Sequence, residues 1–190
     1  MDRTGAGSTI LLYHGSDEPV VRPDVAHNTG FADLGPGFYL TDDRSVARRR
    51  AASRARRKGA AEGVASTFAF DRAAVPWVTW GAQGLAMAEE PAGPFGLCFG
   101  QDMAGLAAWM RYIANCRRGR TAVDGLGQPA VVRAWIATEE VELACAGMVD
   151  AGELACLLDP DELLVQYCLL DQWLIDHALG FVASERVPAR

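Results

Sequence analysis

His14 and Gly15 are the first residues whose types could do chemistry. An apolar, β-rich run at residues 9–13 leads into His14, so we expect the imidazole at the end of a strand. Gly15 has no side chain, which lets a ligand approach the main chain closely. Such a pair can hold a planar amide through main-chain hydrogen bonds. A histidine beside a glycine is also common for purely structural reasons.

A second candidate segment is residues 33–41, which read Asp-Leu-Gly-Pro-Gly-Phe-Tyr-Leu-Thr. Two glycines in three residues allow a tight turn, after which an aromatic pair enters a strand. Phe38 and Tyr39 must point to opposite faces of that strand. One ring is expected in the core, and the other is free to stack on a flat ligand. A purely structural turn is the alternative interpretation.

The third candidate is Gln166, which interrupts the apolar run at residues 163–170. A buried amide that finds no partner costs on the order of 1–3 kcal/mol. The side chain of Gln166 is therefore either hydrogen-bonded internally or directed into a site.

Taken together, the three segments resemble a bacterial ADP-ribosyltransferase-like family of unknown function. Residues 13–16 match its Tyr-His-Gly-Ser start, residues 33–41 match its DFGxGFYLT segment, and a late strand carries Gln. Residues 109–117 and 178–181 extend the resemblance over most of the chain. The family looks like a relative of the His-Tyr-Glu branch of the superfamily, with His14, Tyr39 and Gln166 in the signature positions. Leu34 replaces the usual Phe, and Gln166 replaces the usual Glu.

This resemblance implies an α+β fold with a split β-sheet core flanked by helices, and NAD as co-substrate. His14 would hold a ribose hydroxyl, and the main chain of Gly15 would pair with the carboxamide. Tyr39 would stack on the nicotinamide. Thr41 would add a hydroxyl contact, and Ser16 would either contact NAD or serve only as a turn residue.

The implied activity is mono-ADP-ribosyl transfer from NAD to a macromolecular acceptor, as in a toxin or effector, with a protein acceptor favoured over nucleic acid. Catalysis needs negative potential near the developing ribosyl cation. Gln166 supplies a hydrogen bond but no charge, and Asp161 and Glu162 are the nearest acids in sequence. An NAD glycohydrolase and a non-catalytic module that binds NAD or ADP-ribose therefore stay open.

Hydrolase chemistry is a weaker interpretation of the same sequence. Cys168 with His177, or Ser16 with His14, could supply a nucleophile and a base, but neither pair lies in a recognisable nucleophile elbow. The five cysteines contain no CxxC pair and no histidine at metal-ligand spacing. We therefore predict no metal site, and reduced thiols of a cytoplasmic protein.

The elements that position these residues can be read from periodicity and breakers. We expect a flexible tail at residues 1–8 and one α+β domain at 9–190. Residues 41–43 offer N-cap chemistry for a helix that ends at Gly59, and residues 103–113 form an amphipathic helix. Strands are expected at residues 9–13, 37–41, 64–70, 131–137, 163–170 and near 181. Further helices are expected at residues 139–147, 152–158 and 171–179. Residues 17–36 should form a loop, and residues 71–100 a mostly irregular segment with one short helix.

Composition excludes several classes of protein. The chain has 190 residues, 50% of them hydrophobic, and a net charge of -6, which indicates a globular protein and argues against nucleic-acid binding by the whole molecule. No signal peptide or long apolar stretch is present, so we expect a cytoplasmic protein without membrane contact, or one delivered by a specialised secretion system. Eight of the eighteen basic residues lie between Arg44 and Lys58. That surface helix is either a solvated face or a basic platform for phosphate or an acidic partner.

Overall fold

The computed structural model describes residues 8–27, 32–87 and 91–189, so most of the predicted tail lies outside the described residues. Within these ranges the chain is mixed α+β, with a nine-stranded sheet and five helices. The strands are β1 (Thr9–Ser16), β2 (Phe38–Thr41), β3 (Glu62–Asp71), β4 (Trp77–Gly81), β5 (Gly84–Ala86), β6 (Gly96–Phe99), β7 (Val131–Trp135), β8 (Val165–Leu169) and β9 (Leu179–Pro188). The helices are α1 (Arg44–Lys58), α2 (Met103–Cys116), α3 (Glu139–Cys145), α4 (Ala151–Ala155) and α5 (Gln172–Ala178).

The chain divides into two compact units. Unit 1 consists of Met1–Pro23, Leu40–Val75 and Trp173–Arg190, and unit 2 of Asp24–Tyr39 and Pro76–Gln172. The division falls inside β2, between Tyr39 and Leu40.

Unit 1 is built on antiparallel pairing around β1. Strand β1 pairs with β3 along its whole length, from Thr9 opposite Asp71 to Ser16 opposite Val64. Strand β3 pairs in turn with β9, with a register shift after Thr67. Among the described residues, the pairing of β1 with β2 is limited to Tyr13 opposite Thr41.

Helix α1 follows the expectation from its caps. The side chain of Asp43 accepts a hydrogen bond from the main-chain N–H of Ser45 at 2.6 Å, and Gly59 ends the helix at φ 69°. The buried stripe of the helix is made of small apolar residues, namely Val46, Ala47, Ala51, Ala52 and Ala55. Because these side chains are short, the helix lies close to the sheet of unit 1.

Unit 2 combines parallel and antiparallel strands. Strand β4 pairs antiparallel with β5 and parallel with β6, β6 is parallel to β7, and β7 is antiparallel to β8. The sequence predicts a buried stripe on α2 made of Met103, Leu106, Ala107, Met110 and Ile113. Leu106, Met110 and Ile113 are each at most 2% exposed and lie in the core with Trp109 and Tyr112, whereas Met103 is 60% exposed. Among the described residues, no helix is both long enough and apolar enough to cross a bilayer.

Three sequence expectations were wrong. The segment 71–100, expected to be mostly irregular, contains β4, β5 and β6, which are short and lie between breakers. The last strand is ten residues long rather than short. Because β9 is an edge strand whose residues are mostly exposed, it lacks the apolar alternation that would have marked its length. Strand β1 runs past His14 to Ser16, since Gly15 and Ser16 pair with β3 instead of breaking the strand.

Candidate functional site

The predicted site residues fall into two groups. His14, Gly15, Ser16 and Thr41 belong to unit 1, while Tyr39 and Gln166 belong to unit 2. Each group has contacts that restrict what its side chains can do.

His14 is a half-buried residue inside β1, not at its end. It lies opposite Ser66 of β3, and Ser66 lies opposite Ser184 of β9. Directly opposed residues project from the same face of a sheet, so one imidazole and two hydroxyls form a polar row across three strands. The Oγ of Ser66 accepts a hydrogen bond from the main-chain N–H of Val20 at 3.3 Å. Ser66 is fully buried, so His14 and Ser184 are the members of the row that can offer hydrogen bonds to a polyhydroxylated ligand.

Gly15 faces α1. A Cβ atom at this position would lie 2.0 Å from the carbonyl oxygen of Ala47 and 2.8 Å from the nitrogen of Ala51. These are main-chain atoms that cannot rotate away. The missing side chain therefore accommodates the helix, and any ligand of Gly15 must use main-chain atoms in the plane of the sheet.

The hydroxyl groups of Ser16 and Thr41 are engaged in local turns. Ser16 is 4% exposed, and its Oγ donates to the carbonyl oxygen of Glu18. Thr41, also 4% exposed, accepts from the main-chain N–H of Asp43 at 3.2 Å, immediately before α1. Both hydroxyls thus have a structural role whatever else they contact.

Tyr39 fixes the turn that precedes its own strand. Its hydroxyl donates to the carbonyl oxygen of Gly35 at 2.8 Å and accepts from the main-chain N–H of Leu34 at 2.9 Å. Gly35 adopts φ 98°, the left-handed conformation that favours glycine. Burial raises the pKa of Tyr39 far above its ordinary value, so the phenol stays protonated. The ring itself is half-buried.

Arg117 holds the same turn from the other end, which the sequence did not reveal. Its guanidinium binds Asp33 at 2.6 Å and forms a two-pronged pair with Glu142 at 2.8 and 2.9 Å. Asp33 thereby ties the segment before β2 to α2 and α3. The sequence placed Arg117 within the resemblance of residues 109–117, shortly after an amphipathic helix, and nothing there pointed to Asp33.

Gln166 is 2% exposed. Its Nε2 donates to the carbonyl oxygen of Trp135 at 3.0 Å, which fits the first of the two alternatives, internal hydrogen bonding. Asp161 and Glu162 lie in the exposed segment before β8. The described contacts therefore give Gln166 a structural role in unit 2. Its side-chain oxygen, Oε1, is the group that could meet a ligand.

The hydrolase alternatives lose support from the same contacts. Cys168 is fully buried, and burial raises the pKa of its thiol, which disfavours a nucleophilic thiolate. His177 stacks on Trp173 and its Nδ1 lies 2.7 Å from the carbonyl oxygen of that residue. The five cysteines are free thiols, and the described part of the chain contains no group of three or more His, Cys, Asp or Glu residues that could hold a metal ion.

The fold and the residues above define a mixed α+β protein with a polar row on β1, β3 and β9. Residues 10–79 match the model of a family described as a protein of unknown function (DUF3990). This part of the chain contains the segments around His14 and Tyr39, and it ends well before Gln166. No curated protein and no solved structure matches the chain.

Proposed function

We propose that this protein is an NAD-dependent mono-ADP-ribosyltransferase that transfers ADP-ribose to a macromolecular acceptor. The observation that carries the proposal is the neighbourhood of β1 and β2 in the sheet, with Tyr13 opposite Thr41. Within unit 1, the strand that bears the Tyr-His-Gly-Ser segment pairs with the end of the Phe-Tyr-Leu-Thr segment, although residues 17–37 separate the two segments in sequence. A shared NAD site requires this adjacency.

The polar row of unit 1 supports recognition of ribose. His14 is half-buried and shares its face of the sheet with the exposed hydroxyl of Ser184, while Ser66 between them is fully buried. An imidazole and an exposed hydroxyl on one face suit a ligand rich in hydroxyl groups. Gly15 presents no side chain, and α1 covers the face on which one would stand. The nicotinamide carboxamide would therefore meet the main chain of β1 from the edge of the strand, where the pairing with β2 is limited to Tyr13 opposite Thr41.

Tyr39 has a restricted part in this proposal. Because its hydroxyl is bound to the main chain at Leu34 and Gly35, the phenol is not available as an acid or base. Its contribution is the half-buried ring, held in one orientation by these two hydrogen bonds. Such a ring suits stacking on the flat nicotinamide.

Gln166 favours a second candidate, a module that binds NAD or ADP-ribose without turnover. Transfer passes through a ribosyl group that develops positive charge, and a carboxylate would stabilise it more strongly than a neutral amide. Gln166 is neutral and almost fully buried, and its nitrogen is bound to Trp135. In the transferase proposal its Oε1 orients a ribose hydroxyl, and negative charge must come from another group or from the acceptor.

The decisive experiment incubates the purified protein with NAD labelled in its ADP-ribose part, with and without cell lysate, and follows nicotinamide release and label transfer. Transfer to a macromolecule supports the transferase. Release without transfer identifies a glycohydrolase, and measurable NAD binding without release identifies the binding module. Absence of both binding and release contradicts the entire proposal.

Gln166→Ala tests the third position. Under the transferase proposal, we expect nicotinamide release to fall by about 100-fold because a contact to the developing cation is lost. His177→Ala, at a ring outside the proposed site, should leave release unchanged. Circular dichroism must show that the Gln166 variant is folded. Full turnover by that folded variant would show that Gln166 has no part in the reaction.

A further inference from the structure

One arginine of unit 2 lies in the middle of an apolar strand. Arg133 is the central residue of β7, and the other four residues of that strand are at most 4% exposed. Strand β7 lies between β6 and β8, and Arg133 itself is half-buried. The guanidinium therefore loses part of its hydration, which costs free energy unless another group compensates for it.

The side chains beside Arg133 on its face of the sheet carry no carboxylate. Arg133 lies next to Cys98 of β6 and opposite Tyr167 of β8, and Val131 and Trp135 of its own strand share this face. Its Nε donates to the hydroxyl oxygen of Tyr167 at 3.2 Å. In the described part of the chain, Nη1 and Nη2 have no acceptor. The hydrogen bond to Tyr167 thus fixes the guanidinium and leaves its outer edge available to a ligand.

The other half-buried arginines of the described ranges are paired with carboxylates. Arg48 binds Glu185, and Arg117 binds two carboxylates. Unit 2 contains fifteen acidic and five basic residues, yet no carboxylate of the described residues forms an ion pair with Arg133. An unpaired cation in such a position destabilises the fold, so its presence indicates that an anion from outside the chain completes the site.

We propose that Arg133 binds an oxyanion group, a carboxylate or a phosphate, of a small ligand. The Nη1–Nη2 edge of a guanidinium donates two parallel hydrogen bonds, whose spacing matches two oxygens of one such group. Because the side chain is half-buried, attraction between the two charges is stronger than at a fully solvated surface. Tyr167 contributes by holding Nε, which limits the loss of side-chain freedom when the anion binds.

This oxyanion site is separate from the contact proposed for Gln166. Gln166 precedes Tyr167 on β8 and lies opposite Ala134, whereas Tyr167 lies opposite Arg133. Consecutive residues of a strand project from opposite faces of the sheet. Arg133 and Gln166 are therefore on opposite faces, and the inference does not rest on binding or turnover of NAD.

The test measures the melting temperature of the full chain by differential scanning fluorimetry without NAD. Inorganic phosphate and acetate are titrated separately, each against chloride at equal ionic strength. An anion that binds the native state raises the melting temperature in a saturable manner, and we expect this of at least one of the two. The anion with the higher affinity identifies the group, phosphate or carboxylate, that the site takes.

Variants of Arg133 assign the response to this residue. Arg133→Met removes both hydrogen bonds to the anion, and each charge-assisted bond corresponds to at least about a tenfold change in affinity, so the apparent Kd should rise about 100-fold. Arg133→Lys keeps the charge but not the two-pronged geometry and should raise it about tenfold. Arg111→Met removes the same charge from an exposed position on α2 and should respond like the wild type.

The ligand-free variants distinguish a ligand-binding arginine from a structural one. Arg133→Met removes a half-buried charge that has no counterion, so its melting temperature should equal or exceed that of the wild type. Arg117→Met breaks ion pairs and should melt lower.

Three results would overturn the proposal. The first is the absence of a saturable response of the wild type to both anions, and the second is an equal response of Arg133→Met. The third is a fall in the melting temperature of ligand-free Arg133→Met as large as that of Arg117→Met. If Arg133→Met abolished NAD binding, the guanidinium would belong to the NAD site, and the inference of a separate site would be wrong.

Discussion

Replacing Gly15 with alanine separates the two roles of this residue. The substitution adds one methyl group on the side of β1 that faces α1. In the present geometry its Cβ would lie 2.0 Å from the carbonyl oxygen of Ala47, which is far shorter than the 3.4–4 Å of an ordinary van der Waals contact. Since the neighbouring atoms belong to the helix main chain, relief requires α1 to move away from the sheet by about 1 Å or more.

The cost of this movement can be estimated from the contacts it disrupts. Ala51 and Ala52 of the helix pack with Ala65 and Val187 in a small buried cluster, which would open. Overpacking of a core typically costs about 1–3 kcal/mol, and we expect the upper end because no side chain can rotate to make room. At about 2–4 °C per kcal/mol for a protein of this size, the melting temperature should fall by about 6–12 °C.

Differential scanning fluorimetry measures the shift, and two other glycines serve as references. A Cβ at Gly63 would lie 2.3 Å from the carbonyl oxygen of Ala51, so Gly63→Ala should destabilise similarly although Gly63 has no role in the proposed site. A Cβ at Gly180 would have Ala69 O at 3.9 Å as its nearest neighbour, so Gly180→Ala should be neutral. A melting temperature of Gly15→Ala equal to that of the wild type would refute the packing argument.

Two further variants test other contacts of the structure. Tyr39→Phe leaves the buried N–H of Leu34 without its hydroxyl partner, which costs about 1–3 kcal/mol, so the melting temperature should fall by several degrees. Because the variant keeps a ring that can stack on nicotinamide, its NAD affinity measured by calorimetry should stay nearly unchanged. An unaltered melting temperature would contradict the role given to the hydroxyl. Arg44 lowers the pKa of Glu185 in the folded protein. This ion pair therefore stabilises the fold at pH values above the pKa of an unfolded glutamate, about 4.3, and its contribution is lost as the pH falls through the pKa of Glu185 in the folded state. Glu185→Gln should therefore lower the melting temperature slightly at neutral pH and match the wild type in acid, and a difference that grew on acidification would refute the assignment.

The helices were predictable where their ends carry strong signals. Asp43 and Gly59 delimit α1 as expected, because an N-cap carboxylate and a left-handed glycine each satisfy main-chain groups that the helix leaves unpaired. The stripe of α2 was equally clear, since large apolar residues recur at three- and four-residue steps. Signals of this kind are local, and the structure confirmed both helices.

Strands β4, β5 and β6 of unit 2 were harder to predict because their stability comes from distant partners. Strand β6 pairs in parallel with β4 on one side and with β7 on the other. A strand within parallel pairing is covered on both faces and shows no alternation, and glycines and prolines before it favour a loop on local grounds. The same reason concealed the ion pairs of Arg117, whose partners Asp33 and Glu142 lie far away in sequence.

The candidate site shows how one residue type can satisfy two demands. The sequence suggested that Gly15 lets a ligand approach the main chain closely, yet in the structure the group that approaches closely is α1. These uses are compatible, because the helix occupies the face of β1 whereas a carboxamide would pair along its edge. If NAD binds, Gly15→Ala should weaken binding only through the displacement of α1 from β1. Gly63→Ala, which displaces the same helix from β3, should then reduce NAD affinity comparably. A loss of affinity confined to Gly15→Ala would instead place the ligand directly against Gly15.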